Sequence, residues 1–343
     1  MSCAAGHWTK PLAAQWPEAP TAGSHNLYRV ETDAETRRGL VYGAAAYLLW
    51  GAFPLYWPLL KPASALEILA HRILWSLLFV ALVLWRTRAW RSVRRVLADR
   101  RRRTLLILAA SVISVNWCTY IWGVNSGQVI ETSLGYFINP LITILLGVFV
   151  LRETLRRPQW VAVGIASIAI VVLAVDYGRL PWIALVLAMS FGMYGYFKKR
   201  AAVGAAESLA VETGVLALPA LTVLLVLQTQ GTLVFAHHGG GNTALLATTG
   251  VVTAIPLLFF AAATRRLPLS TVGLLQYLAP VLQFAVGVGI DHEPMPPVRW
   301  VGFTLVWIAL IVLTVDGIGS QRRRRPAEPV EAEPVLSRSG STA

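Results

Sequence analysis

Long apolar runs separated by short polar or basic connectors set the pattern of this chain. Ten runs can be marked, at about 39–60, 64–85, 104–124, 129–151, 158–175, 181–197, 207–228, 243–264, 269–290 and 297–318. About 20 apolar residues, rising 1.5 Å each, cross a hydrocarbon layer about 30 Å thick. A backbone in lipid must satisfy its own N–H and C=O groups, so runs of this length predict helices. The alternating segments of about ten residues that mark a membrane barrel are absent from the sequence. The expected fold class is therefore an all-α integral membrane protein with ten transmembrane helices. Residues 1–38 form a leading extension, and 319–343 a disordered tail.

Composition agrees with this reading: 56% of the residues are hydrophobic, 14% are charged, and the mean hydropathy is +0.59. These values lie far from those of an average soluble domain. The net charge of +13 would raise the question of nucleic acid, but the basic residues are sorted by connector. With the amino terminus in the cytoplasm, 26 of the 30 Lys and Arg fall on the cytoplasmic side, nine of them in RTRAWRSVRRVLADRRRR. Only Lys61, Arg179 and Arg299 lie outside, and Arg72 is left inside a span. This asymmetry follows the positive-inside rule and predicts both termini in the cytoplasm of a multi-pass membrane protein whose partner is the bilayer rather than nucleic acid. Residues 1–38 lack the continuous apolar stretch of a cleavable signal peptide and read as a weakly ordered extension. The tail from Ser320 has too little apolar content to fold, and its RRRR suits anionic lipid. Cys3 and Cys118 are the only cysteines, so neither a disulfide framework nor a metal cluster is expected, and no cofactor.

An internal repeat changes the picture further. At an offset of 140 residues, EILA (67–70) meets ESLA (207–210), Pro140 meets Pro280, and Gly147-Val148 meets Gly287-Val288. Glu153 meets Glu293, Trp160-Val161 meets Trp300-Val301, and IAIVVLAVD (168–176) meets IALIVLTVD (308–316). Apolar helices resemble one another by composition, so the weight rests on the Glu, Pro, Trp and Asp matches. The units 39–176 and 177–318 hold five spans each. An odd number makes the second unit enter from the opposite face, so the repeats are expected to be inverted. Inverted repeats are a recurring plan of secondary transporters, whose two halves expose one midplane site alternately to each side.

Candidate chemistry gathers where the apolar pattern is broken. In LEILAHRILW (66–75) the second span carries Glu67, His71 and Arg72. Ser64-x-x-Glu67 matches a capping box, so Glu67 is expected at the helix end. His71 and Arg72 lie about 10 Å deeper, where a charge usually faces the bundle interior or pairs with another. A structural ion pair is one reading; the other makes Arg72 a fixed cation for an anionic or polar group, with Glu212 or His71 proton-sensitive. Glu212 is the 140-residue equivalent of Arg72.

In the fourth span, ETSLGYFINPL (131–141) places Ser133, Tyr136, Pro140 and Thr143 on one stripe, with Asn139 beside the proline and Glu131 near the outer end as a helix-dipole carboxylate. The ninth span answers with Gly273, Gln276, Tyr277, Pro280 and Gln283. A mid-helix proline frees the carbonyl four residues earlier, so two prolines at equivalent positions point towards a cavity or, taken singly, to packing kinks. In the third span Asn116, Tyr120 and Gly123 share a face, with Asn125 at the mouth. Gly51 and Pro54 interrupt the first span; Gly51, Gly192 and Gly195 serve either as close packing contacts or as hinges. His237 and His238 in a loop are weak evidence for a metal, and none is expected.

EILAHRILWS, NWCTYIWGVN, ETSLGYFINPL, SFGMYGYFKK and LSTVGLLQYLAP together resemble the RarD group of EamA transporters, in the drug/metabolite transporter superfamily. The likeness covers about 39–318 and implies two EamA repeats, an inner-membrane location and export of small metabolites or drugs, with chloramphenicol sensitivity carried in the family name. Arg152-Glu153 stands where the family pattern has Gly-Glu, and both tails read as additions. The chain has none of GxSxG, HExxH or paired mid-span Asp, so an intramembrane enzyme is not expected. It has no GxxxxGK[ST] for ATP drive either, leaving an ion or substrate gradient, with protons the expected coupling ion. The remaining alternative, a membrane scaffold or sensor, would tolerate apolar replacements at the buried charges.

Overall fold

The computed structural model of the chain describes residues 22–151, 155–264, 266–267 and 269–324, and every regular element among them is helical. In chain order these are α1 (Ala22–Gly51), α2 (Phe53–Tyr56), a 3-10 turn (Trp57–Leu60), α3 (Ala65–Arg86), α4 (Trp90–Ala98), α5 (Arg100–Asn125), α6 (Val129–Leu151) and α7 (Arg157–Tyr177). Then follow α8 (Trp182–Ala201), α9 (Ala205–Thr229), α10 (Gly240–Thr264), α11 (Leu269–Leu275), α12 (Leu278–Gly289) and α13 (Pro297–Arg324).

Eight helices are long and apolar enough to cross a membrane, and a ninth crossing results if α1 and the bent segment after it count as one span. The expected count of ten therefore differs at α8, which covers the sixth apolar run but ends in Lys198, Lys199 and Arg200. The first run bends by 43° between Gly51 and Phe53. Pro54 sits in the first turn of α2, where its missing N–H leaves no helical bond unmade. Helix also extends beyond the expected limits at both ends: α1 starts at Ala22 within the leading extension, and α13 continues to Arg324 within the tail. Glu153, matched to Glu293 in the repeat, lies outside the described residues, as does the Arg152-Glu153 departure.

The helices pair in a regular way. α7 packs along α13, α5 along α8 and α9, α3 along α9 and α10, α6 along α8 and α12, and α1 along α10 and α12. Antiparallel α7 and α13 are tied at both ends, by Arg299 to Asp176 at 2.7 Å and by Arg156 to Asp316 at 2.9 Å. One apolar core joins α2, α3, α5 and α9 around Trp57, Ile68 and Ile121. A second joins α6, α7, α8 and α13 around Phe137, Leu173 and Phe303. Val93 and Val96 of α4 seal a third core against Leu84, Leu106 and Leu209 at the arginine-rich end of the bundle. The opposite, far end carries Glu67, Glu131, Arg179 and Glu293. Leu78, Leu82, Val171, Val175, Leu218, Leu225 and Val315 point outward and remain exposed, the arrangement expected of faces solvated by lipid rather than by water.

Close approach of α3 and α10 depends on Gly250. A Cβ there would lie 2.3 Å from the Trp75 carbonyl carbon and 2.6 Å from the Ser76 nitrogen, both backbone atoms that cannot swing aside. Gly250→Ala is expected to force the helices apart at a cost of roughly 1–3 kcal/mol, the usual range for overpacking. A lowered unfolding temperature in detergent would show it. Gly195→Ala, where nothing lies within 4 Å, is expected to leave that temperature unchanged.

Candidate functional site

Arg72 is 3% exposed, and its guanidinium lies 4.0 Å from the ring centre of Trp117, 5.3 Å from Trp57 and 5.6 Å from Phe53. α3 carries the arginine, α5 carries Trp117, and the bent segment after α1 carries the other two rings. Gly51 makes that delivery feasible, since a Cβ there would lie 2.8 Å from Leu282 and 3.2 Å from the Ala279 carbonyl oxygen. Among the described residues no group accepts a hydrogen bond from Arg72 and no carboxylate pairs with it; its Nε is wholly buried without a partner. Each aromatic contact contributes about 0.5–2 kcal/mol. Stacking engages the guanidinium face, however, and satisfies none of its in-plane N–H donors; the buried Nε–H, left dry, costs about 1–3 kcal/mol. The aromatic wall therefore lowers the cost of the charge without satisfying the donors.

Two further orphan donors stand in the same core: the indole Nε1 of Trp57 and the hydroxyl of Tyr120. Tyr120 packs edge-on to Tyr136 at 5.5 Å, and the Tyr136 hydroxyl donates to Asn116 Oδ1 at 3.3 Å. Asn116 in turn donates to the Leu187 carbonyl at 2.9 Å and to Ser190 Oγ at 3.0 Å, which binds α5 to α8. Asn139 is buried, with its Oδ1 unpartnered. Pro140 lies inside an unbroken α6, freeing the Tyr136 carbonyl at the same level. The structure thus brings Arg72, Tyr120, Tyr136 and Asn116 into one neighbourhood.

Other expected site residues go elsewhere. His71 faces away from Arg72, stacking on Phe235 at 4.4 Å and accepting from Trp75 Nε1 through Nδ1 at 3.2 Å. That bond places the proton of the neutral ring on Nε2, which has no partner. Glu212 does not meet Arg72; it pairs with Lys198 at 2.7 Å and accepts from Ser208 at 2.6 Å and Tyr194 at 3.2 Å. In the ninth run the helix is interrupted at Gln276 and Tyr277 within a span that still runs from Thr271 to Gly289, and Gln276 is the residue whose carbonyl Pro280 leaves free. Tyr277 packs into the α7/α13 core, while Gln283 donates to the Trp50 carbonyl at 3.2 Å. Pro140 and Pro280 occupy equivalent repeat positions, yet only the second accompanies a break.

The two carboxylates expected as helix caps do more than cap. The Ser64 hydroxyl accepts from the Glu67 N–H, one half of the capping box. The Glu67 carboxylate instead crosses to the segment before α10, accepting from the amides of Val234 and Phe235 at 2.9 Å each. Glu131 accepts from the Ile183 amide at 3.0 Å, in the first turn of α8, and pairs with Arg179 at 2.7 Å. Glu293, which entered the sequence reading only as a repeat match, accepts from the amides of Val129 and Ile130 at the start of α6. No local signal marks that role, because its partners lie more than 160 residues away. Among the described residues no group of three or more His, Cys, Asp or Glu could hold a metal.

Comparison with known proteins gives this bundle a class: residues 37–175 match the EamA-like transporter family. Protein RarD of Streptomyces exfoliatus is 56% identical over 308 residues, covering 90% of this chain and 98% of that protein. Uncharacterized transporter YojE of Bacillus subtilis is 42% identical, covering 84% and 97%, and protein RarD of Escherichia coli is 38% identical, covering 84% and 98%. A crystal structure of a protein 18% identical in sequence shares the fold, with a TM-score of 0.54 over 81% of this chain and 97% of that one. The chain belongs to the EamA transporter family, within its RarD group, and is a multi-pass membrane transporter.

Glu293 gives the far end a pH dependence. Burial pushes its carboxyl up to about 7, against the lowering effect of the Ile130 and Val129 amides, and Asp291 adds to the rise. A carboxyl whose folded pKa exceeds its unfolded value binds protons more tightly when folded. Its contribution to stability is therefore complete at low pH and is lost as pH rises from about 4.5 through about 7. Wild type should lose unfolding temperature across that window, and Glu293→Gln should flatten that part of the slope, as thermal scans of purified protein at stepped pH would measure.

Proposed function

We propose that the chain is a secondary-active permease of the inner membrane that exports small metabolites or drugs, working by alternating access about a site formed by Arg72, Asn116, Tyr120 and Tyr136. The observation that carries this reading is the buried guanidinium with its donors unmade, in the interior of a transporter-family bundle. A scaffold would gain nothing from retaining it.

The helix pairings support two inverted five-helix units, with α8 as the sixth span. Exchanging the two units turns the pairing of α5 with α8 into that of α10 with α1, and that of α3 with α10 into that of α9 with α5, all of which are present. The pairs α3/α9, α7/α13 and α6/α12 map onto themselves. Such a bundle can rock one unit against the other about a central site. With the basic α4 end in the cytoplasm, the Glu67 end faces outward. Protons are the proposed coupling ion, with the Glu212, Lys198, Tyr194 and Ser208 network as the group that exchanges them, because a carboxylate at 2% exposure depends strongly on the charge of its one lysine partner.

Flux of a labelled metabolite panel in proteoliposomes under an imposed pH gradient tests this. Gradient-dependent flux is expected in wild type, with a loss of tenfold or more, a rough scale for one charged hydrogen bond, in Arg72→Gln. Glu212→Gln is expected to retain exchange while losing its dependence on the gradient. Wild-type flux in Arg72→Gln would return the arginine to a structural role.

A further inference from the structure

Resting on the carrier reading above, we infer that the substrate is a monoanionic carboxylate with a flat, apolar body, its carboxylate held by Arg72 and its body laid against Trp117, Tyr120 and Tyr136. The orphan groups around Arg72 are donors, while the orphan acceptor Asn139 Oδ1 lies towards Gly192 of α8. Arg72 Nε, Trp57 Nε1 and Tyr120 O–H are buried and unpartnered. The first two can only donate, and the third donates readily. Three donors with no acceptor match an oxyanion, which accepts several hydrogen bonds and carries the charge that the guanidinium lacks. A cationic head would bring a second positive charge and further donors to a site already in surplus of both.

The number of charges follows from the neighbours. Among the described residues Arg72 is the one cation in this cluster. Lys198 is committed to Glu212, and His71 is turned onto Phe235 with its Nδ1 occupied by Trp75. One guanidinium balances a carboxylate and leaves a phosphate dianion with a charge in excess. The walls argue for the body. Trp117, Trp57 and Phe53 surround the guanidinium within 5.6 Å, and the T-shaped Tyr120 and Tyr136 pair continues the aromatic surface towards α8 through Phe191. Sugars and polyols would find few acceptors there.

A series on one phenethyl body, with an isosteric carboxylate and amide at its centre, tests the head group: 3-phenylpropionate, 3-phenylpropionamide, phenethylamine and phenethyl phosphate, each added to the purified full chain while thermal unfolding is followed. The expected result is a rise in unfolding temperature with 3-phenylpropionate that exceeds that of every other member. Its apparent affinity should fall about tenfold or more in Arg72→Gln, by the scale of a charged hydrogen bond, and be partly recovered in Arg72→Lys. Equal stabilisation by the amide, the amine or the phosphate in wild type overturns the assignment without any variant, as does the absence of a shift with every member. Should the Arg72 variants fail to fold, Tyr120→Phe, which removes one donor and keeps the ring, is expected to weaken the carboxylate more than the amide; equal weakening of both counts against the assignment. A carrier that moves amines or neutral compounds in proteoliposomes would leave the transport reading standing while this one fell.

Discussion

Every charge taken into a hydrocarbon layer has to find its compensation inside the protein, and this constraint arranges most of the polar structure here. Glu67 and Glu293 take backbone amides of distant segments, and Glu131 takes an amide and a guanidinium. Glu212 takes an ammonium and two hydroxyls, and Asp176 takes Arg299. Apart from Glu212, whose partners lie on its own helix and on the neighbouring α8, each interaction joins elements distant in the chain, so satisfying the charges also fixes the bundle. Arg72 departs from this pattern: its aromatic wall offsets the charge but cannot accept its hydrogen bonds. A site that leaves donors unmade at rest is one in which an arriving acceptor gains the most.

The fold was largely legible in the sequence because membrane helices announce themselves by length and hydropathy, and the ten apolar runs all coincide with helical segments. What was not legible depended on details that hydropathy averages away. The sixth run ends in Lys198, Lys199 and Arg200, which lowers its apolar character though its packing against α5 and α6 is intimate. The two repeat prolines look alike in sequence. Yet α6 absorbs Pro140 within one helix, while α11 and α12 part just before Pro280. Periodicity could not show this, because the outcome depends on which neighbours take up the freed carbonyl.

The polar site was legible in its members but not in its pairings. Glu67 and His71 do share a face, as i, i+4 spacing requires, but that face meets the segment before α10 rather than Arg72. Arg72, one residue on, is rotated by about 100° and so meets α5 and the bent segment instead. The repeat made Glu212 the formal counterpart of Arg72, yet Glu212 has Lys198 within one turn of its own level on α8. A nearby charge on an adjacent helix wins over a symmetric one across the bundle, since Coulomb attraction falls with distance and hydrogen bonds with it.

The carboxylates at the far end add one more step. Glu67 joins the first unit to the second, Glu131 does the same, and Glu293 joins the second back to the first. All three cross between the halves that the proposed alternating access would separate. At the basic end Arg156 of the first half pairs with Asp316 of the second at 2.9 Å, while the carboxylate of Glu207, the equivalent of Glu67, makes no hydrogen bond among the described residues. The far end thus carries two buried carboxylate ties between the halves, Glu67 and Glu131, whereas the Arg156–Asp316 tie at the basic end leaves its arginine half-exposed. Opening there must release charged hydrogen bonds worth roughly 1.5–3 kcal/mol each before water replaces them. Water reaching a parted mouth would solvate both the carboxylates and the amides they leave, so the cost falls on the barrier more than on the open state. On the proposed alternating-access cycle, the same constraint that assembles the bundle would therefore also slow its opening at the far end, where the buried ties of Glu67 and Glu131 lie.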